Sequence, residues 1–247
     1  MLGGIIEFCL LKYNLPLGVS LLISSLSVAV IAALIHKIFI SQTKNATELS
    51  LIIMTVGISI TIKGSVMLLA DKDAHPVDSF LPIAHISVFG AIFASQYLIV
   101  ILFTFLIIFL LYLFFKKTLF GKIMQASSMN PLAARLFGVD VNMVQMLSFA
   151  ISGFIGALAG AIIAPISFAQ YDSGVLLGLK GFAASVVGGF GNNNGALIGG
   201  LIIGVAESLS AGYISSSYKD LAAFLIMLIV LFIRPQGLFS SKDVERV

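Results

Sequence analysis

The chain has 247 residues, 59% of them hydrophobic and only 10% charged, with a formal net charge of +3. Soluble domains carry roughly a quarter charged residues, so this composition cannot build a water-soluble coat, and lipid is the solvent over most of the chain. Soluble enzymes and nucleic-acid binders are excluded, and the basic residues matter through where they fall along the membrane topology.

In chain order, residues 1–11 (MLGGIIEFCLL) lack the basic start of a secretory signal and carry Glu7 inside an apolar run. They read as the end of a helix whose beginning is absent. A bilayer core about 30 Å thick needs roughly 20 apolar residues in a helix. Residues 17–35, 49–69 and 143–168 meet that length, and 95–115 (SQYLIVILFTFLIIFLLYLFF) meets it without a charge, glycine or proline. Two shorter candidates are 196–209 and 221–233, and 174–187 is a further apolar segment too short to span upright. The expected fold is therefore all-α: a polytopic helical membrane bundle of six to eight segments, some of them short and glycine-rich. Residues 1–247 are read as a single transmembrane domain.

Short loops rich in Lys and Arg stay in the cytoplasm. The loop 116–142 holds Lys116, Lys117, Lys122 and Arg135 against Asp140 alone, which makes it the cytoplasmic anchor. Alternation then puts 36–48 inside, 70–94 outside and the tail 240–247 inside. Three crossings remain after Gln170, so 174–187 must cross or enter deeply.

Thirteen of the 23 glycines fall between Ser152 and Val205. Four-residue spacings at Gly156/Gly160, Gly195/Gly199 and Gly200/Gly204 put small residues on one helix face, where backbones approach closely. The stretch GGFGNNNGALIGG, with Gly188, Gly189, Gly191, Gly195, Gly199 and Gly200, resembles a phosphate-cradling loop, but that chemistry needs a preceding strand and a soluble βαβ unit. It is read instead as a sharp turn between two closely packed helices, with Asn192 to Asn194 satisfying freed backbone groups.

Within the cytoplasmic loop, NPLAARLFG encodes a short helix: Asn130 as N-cap, Pro131 at the first position and Gly138 as the left-handed C′ residue. Between them lie Leu132, Ala133, Ala134, Arg135, Leu136 and Phe137. Such an apolar knob either docks in a partner's groove or packs on this chain's own helix ends. Inside the membrane, Lys180 and Glu207 sit in glycine-rich segments at similar depth and are read as an ion pair, since unpaired charge in a span is costly. The competing reading has each snorkel separately to the outer interface. Lys63 and Glu7 are read as near-interface residues, and His36, His75 and His85 as interfacial or loop histidines without metal-ligand spacing. Cys9 stands alone, so no intramolecular disulfide is possible. No G-x-x-x-x-G-K-[ST] motif occurs, so an ATP-driven cycle needs separate ATPase subunits.

Three blocks carry a family resemblance: GKIMQASSMNPLAARLFGVDV (121–141), GLKGFAASVVGGFGNNNGALIGGLIIGVAESL (178–209) and YKDLAAFLIMLIVLFIRPQGLF (218–239). The chain resembles membrane permease subunits of the branched-chain amino acid class of bacterial ABC importers. That resemblance implies the ABC importer permease fold in the inner membrane and makes residues 130–138 the coupling helix. It implies as partners a second, paralogous permease subunit, two cytoplasmic ATPases and a periplasmic or lipid-anchored binding protein. No cofactor is expected on this chain; ATP and Mg belong to the ATPases. Such permeases usually begin with a further helix and a Gly-rich stretch containing Asn-Phe-Ala before a segment like MLGGIIEF, where this sequence starts, which implies either a misplaced start or a truncated product. Alternatives are a permease for urea, short amides or another small polar solute, and a proton-coupled secondary transporter working through Glu207. An intramembrane enzyme lacks a nucleophile and base in the glycine-rich core.

Overall fold

The computed structural model describes residues 1–43, 48–70, 72–80, 85–88, 91–189 and 191–239. The tail 240–247, Lys44 and Phe190 lie outside the described residues. Ten α-helices occur among the described residues: α1 (Leu2–Lys12), α2 (Leu17–Ile35), α3 (Glu48–Leu69), α4 (Ser95–Lys117), α5 (Leu119–Met129), α6 (Pro131–Leu136), α7 (Val141–Ser167), α8 (Ser173–Gly188), α9 (Asn193–Tyr213) and α10 (Lys219–Ile233). Six helical stretches are long and apolar enough to cross a membrane: Leu17–Ile40, Ser50–Leu69, Ser95–Lys117, Val141–Ser167, Asn194–Tyr213 and Ser216–Ile233. Ser173–Gly188 is the shorter apolar helix. The helical bundle expected from composition is thus present, and its last two spans are longer than the apolar runs that marked them.

One departure from the all-α reading lies in the connection between α3 and α4. Strands β1 (His85–Val88) and β2 (Ala91–Ala94) pair antiparallel, with His85 opposite Ala94. So short an antiparallel pairing is a local event that no long-range sequence pattern announces.

The chain divides into two compact units, Met1–Ser173 and Gly174–Val247. In the first, α7 packs against α1 and α2. Small residues make this possible: a Cβ on Gly3 would run into the Ala157 backbone, and one on Gly153 would meet Ala32 at 2.7 Å. Leu21, Leu158, Ala161 and Ile162 form one buried cluster. Ile5, Val66, Val77, Ala164 and Ala169 form another. Pro165 lies inside α7 and has no N–H to offer the carbonyl of Ala161. One residue on, the carbonyl of Ile162 accepts from Gln96 Nε2 at 2.7 Å. Gln96 Oε1 in turn accepts from the Phe80 N–H at 3.2 Å, so a single buried amide ties α4, α7 and the loop before α4 together. By contrast, no residue in the apolar window of α4 is buried, the property of a lipid-facing helix.

In the second unit, Ala183, Val187, Ile203 and Ala223 bring α8, α9 and α10 onto one core. The α8–α9 turn is built on glycine. Gly189 and Gly191 have φ of +103° and +84°, a left-handed conformation that disfavours other residues. Asn192 caps α9, its Oδ1 accepting from the N–H groups of Asn194 and Gly195, both at 3.1 Å. Its Nδ2 donates to the Phe239 carbonyl at 2.6 Å. The Leu238 and Phe239 N–H groups donate to the carbonyls of Val187 and Gly188, which satisfies the C-terminal end of α8.

Candidate functional site

Two places in the chain combine exposure with chemistry. The first is the α5–α6 segment. Thr118 caps α5, its Oγ1 accepting from the Gly121 N–H at 3.1 Å. Asn130 caps α6, its Oδ1 accepting from Ala133 N–H at 3.0 Å, with Pro131 at the first helical turn. Gly138 closes it with φ +81°, a conformation that costs an L-residue roughly 1–2 kcal/mol. These caps hold a two-turn helix on which Leu132, Leu136 and Phe137 are exposed, Leu136 at 89%, while Ala134 alone is buried. The apolar side chains are therefore not covered by the rest of their own unit.

The second place is an ionic cluster on α8, α9 and α10. Lys180 Nζ lies 2.9 Å from Glu207 Oε1 and 2.7 Å from Asp220 Oδ1. The Lys180 and Glu207 side chains are 19% and 20% exposed and that of Asp220 35%, so the cluster is part-buried rather than sealed. The two facing oxygens are screened from solvent and are both held by the Lys180 ammonium, at charge-assisted hydrogen-bond distance. Asp220 is the member that sequence reasoning missed, because it sits just before the apolar run 221–233 and looks like an ordinary end-of-span charge. Its place in the first turn of α10, where the helix dipole favours a carboxylate, was the available signal.

Among the glycines, Gly188, Gly195 and Gly199 mark the close approach: a Cβ on Gly188 would strike the backbone of Gly195, and one on Gly199 the backbone of Ala184. Gly189 is approached by Gly237, while Gly191 serves the turn through its φ. Gly200 makes only ordinary contact, 3.8 Å to Ala184 Cβ, because it lies a hundred degrees round the helix from Gly199. Gly156 and Gly204 have nothing within 4 Å, so spacing alone does not identify a contact.

Glu7 and His36 depart from their near-interface readings, whereas His75 lies in a loop as expected. Glu7 is fully buried, with neither carboxylate oxygen hydrogen-bonded, because the Gly3/Gly4 contact draws α1 tightly onto α7. His36 is 1% exposed, in a π-helical turn (His36–Ile40) that packs its ring 5.2 Å from that of Phe149. His75 exchanges two backbone hydrogen bonds with Ala169 and stacks on Phe8 at 4.4 Å. Lys63 lies 3.7 Å from Asp172 Oδ2 and over the Tyr171 ring, both partners half-open to solvent in the manner of an interface.

Six helices among the described residues are long and apolar enough to cross a membrane, which makes this a multi-pass membrane protein. The family model for the branched-chain amino acid transport system permease component matches residues 1–231. The chain is 30% identical over 219 residues to the high-affinity branched-chain amino acid permease BraD of Pseudomonas aeruginosa, covering 86% of this chain and 71% of that one. It is 28% identical over 261 residues to LivH of Escherichia coli K12, covering 100% and 85%. The ribose import permease RbsC of Haemophilus influenzae is 40% identical over 124 residues, 47% of this chain and 38% of that one. No solved structure matches. The chain belongs to the branched-chain amino acid transport permease family and is a membrane permease subunit of the ABC transporter type.

Proposed function

We propose that this permease moves branched-chain or other hydrophobic amino acids into the cytoplasm by alternating access, driven by two separate ATPase subunits that bind ATP and Mg. It works with a second, paralogous permease and receives cargo from a periplasmic or lipid-anchored binding protein. Its place is the bacterial inner membrane, with the loop 116–142 and the C-terminus cytoplasmic. The observation that carries this reading is the capped, exposed helix α6. A helix of two turns is unstable alone in water. Asn130, Pro131 and Gly138 hold it in shape while Leu132, Leu136 and Phe137 stay uncovered, which suits a knob that transmits ATPase motion. Deleting 132–137 abolishes ATPase association and transport; retained ATPase binding would remove this role. Leucine uptake in vesicles carrying the assembled importer tests the cargo, with ribose and urea as competitors.

A further inference from the structure

We propose that Glu7 is a proton-binding site tied to the seat of α1: its carboxyl is un-ionised while α1 lies against α2 and α7, and it gives up the proton only as α1 leaves that seat. The site stands apart from the transport reading and does not depend on the cargo.

Nothing around Glu7 supports a charge. The side chain is fully buried and both carboxyl oxygens lack a hydrogen-bond partner. Among the described residues no ion pair includes it. Ser20 on α2 is buried to the same degree with its own hydroxyl unpartnered, so it does not hold the carboxyl either. Removing an isolated carboxylate from water costs far more than taking up a proton, and the group neutralises instead.

The elements around α1 supply no counter-charge. Both α2 and α7 pack on α1, and neither carries an ionisable residue along its length. His36 and Asp140 lie at the far ends of those helices, beyond the reach of an 11-residue α1. From α3, Ile62 and Val66 reach α1, while Lys63 is engaged by Asp172. The remaining titratable groups are on α1 or beside it. They are the Met1 amine against Gly160, Cys9, Lys12, Tyr13 and His75, which stacks on Phe8.

Glycine makes the seat. A Cβ on Gly3 would strike the Ala157 backbone, and one on Gly4 would come within 3.3 Å of the Gly160 carbonyl oxygen. Glu7 follows Gly3 by four residues and shares its helix face, so this backbone-to-backbone contact is what carries the carboxyl out of solvent. Seating and proton binding are therefore linked. Where released α1 carries an ionised Glu7 and seated α1 does not, each pH unit changes the seated-to-released ratio by roughly tenfold, with seating lost as pH rises.

The test uses the permease assembled with cysteine-free partner subunits in nanodiscs. Infrared difference spectra compare wild type with Glu7→Gln and Glu7→Met. A nitroxide on Cys9, exposed and on the opposite side of α1 from Glu7, reports the mobility of the helix. At neutral pH the difference spectra show the carbonyl stretch of an un-ionised carboxyl, which shifts in D₂O. Raising the pH removes that band and narrows the nitroxide line with a single, reversible midpoint, and both variants lack the transition. Carboxylate bands at neutral pH would mean that a bound cation or water keeps Glu7 ionised, and would overturn the site. A band that persists at every pH the assembly survives, or is lost without a change in the nitroxide line, would overturn the link to α1. A nitroxide transition that survives in both variants belongs to His75 or the Met1 amine and would do the same. If neither variant assembles, wild type decides, because band and nitroxide line must change together.

Discussion

Asn192 and Phe239 are joined across 47 residues by one hydrogen bond of 2.6 Å, from the side-chain amide of the first to the carbonyl of the second. The same side chain caps α9 through its oxygen, so one residue starts a helix and anchors the segment after α10 to the α8–α9 turn. Asn192→Asp keeps the cap and loses the donor; Asn192→Ala loses both. We expect Asp to leave α9 intact but expose the 234–239 segment to protease. Ala should cost a further ~1 kcal/mol in thermal unfolding. Equal protease resistance in wild type and Asn192→Asp would argue against the anchor.

The glycines separate into packed and open positions. Gly188→Ala and Gly199→Ala place a methyl against backbone atoms that cannot move aside, whereas Gly156→Ala and Gly204→Ala meet open space. Size-exclusion profiles of fluorescent fusions should show the first pair aggregated and the second pair monodisperse, with stability unchanged or raised by up to about 1 kcal/mol.

Gln96 is a buried amide that both donates and accepts across elements. Gln96→Leu leaves the Ile162 carbonyl and the Phe80 N–H without that partner, an expected cost of about 1–3 kcal/mol read as a lowered melting temperature. A melting temperature unchanged by Gln96→Leu would show that water replaces the amide.

Glu7 makes the opposite prediction. Both its oxygens are buried and unpartnered, so removing the carboxylate removes a desolvation penalty. Glu7→Met is expected to melt at or above the wild-type temperature, and above Glu7→Gln, which keeps a buried unpartnered amide. A fall on the scale of a broken buried pair, ~3 kcal/mol, would reveal a partner for the carboxylate.

Topology is checked by labelling. Asn194→Cys, at an exposed position in the first turn of α9, should react with an impermeant maleimide only from the cytoplasmic side. Labelling from outside alone would reverse the proposed orientation.

Features legible in the sequence are local ones. An apolar run of twenty residues must span whatever it packs against, so α4 and α7 could be drawn from composition. The α6 caps could be read from NPLAARLFG, because capping joins residues three or four apart. Length gave no warning of the 85–94 hairpin, nor did four-residue spacing separate Gly199 from Gly204. Asp220 was hidden because its partner Lys180 lies on a different helix and nothing in YKD says which carboxylate faces inward.

The sequence of this chain, by itself, determined that it is a membrane bundle and where the short capped helix and glycine turn fall. Each of these follows from interactions along one segment, between the chain and its solvent or between neighbours in sequence. The tertiary structure alone decided that Lys180 serves two carboxylates, that Glu7 and His36 are buried, and that Gln96 and Asn192 fasten distant segments. Those outcomes depend on which helix faces meet. In lipid no hydrophobic contrast marks the inward face, and close packing of small residues selects it instead.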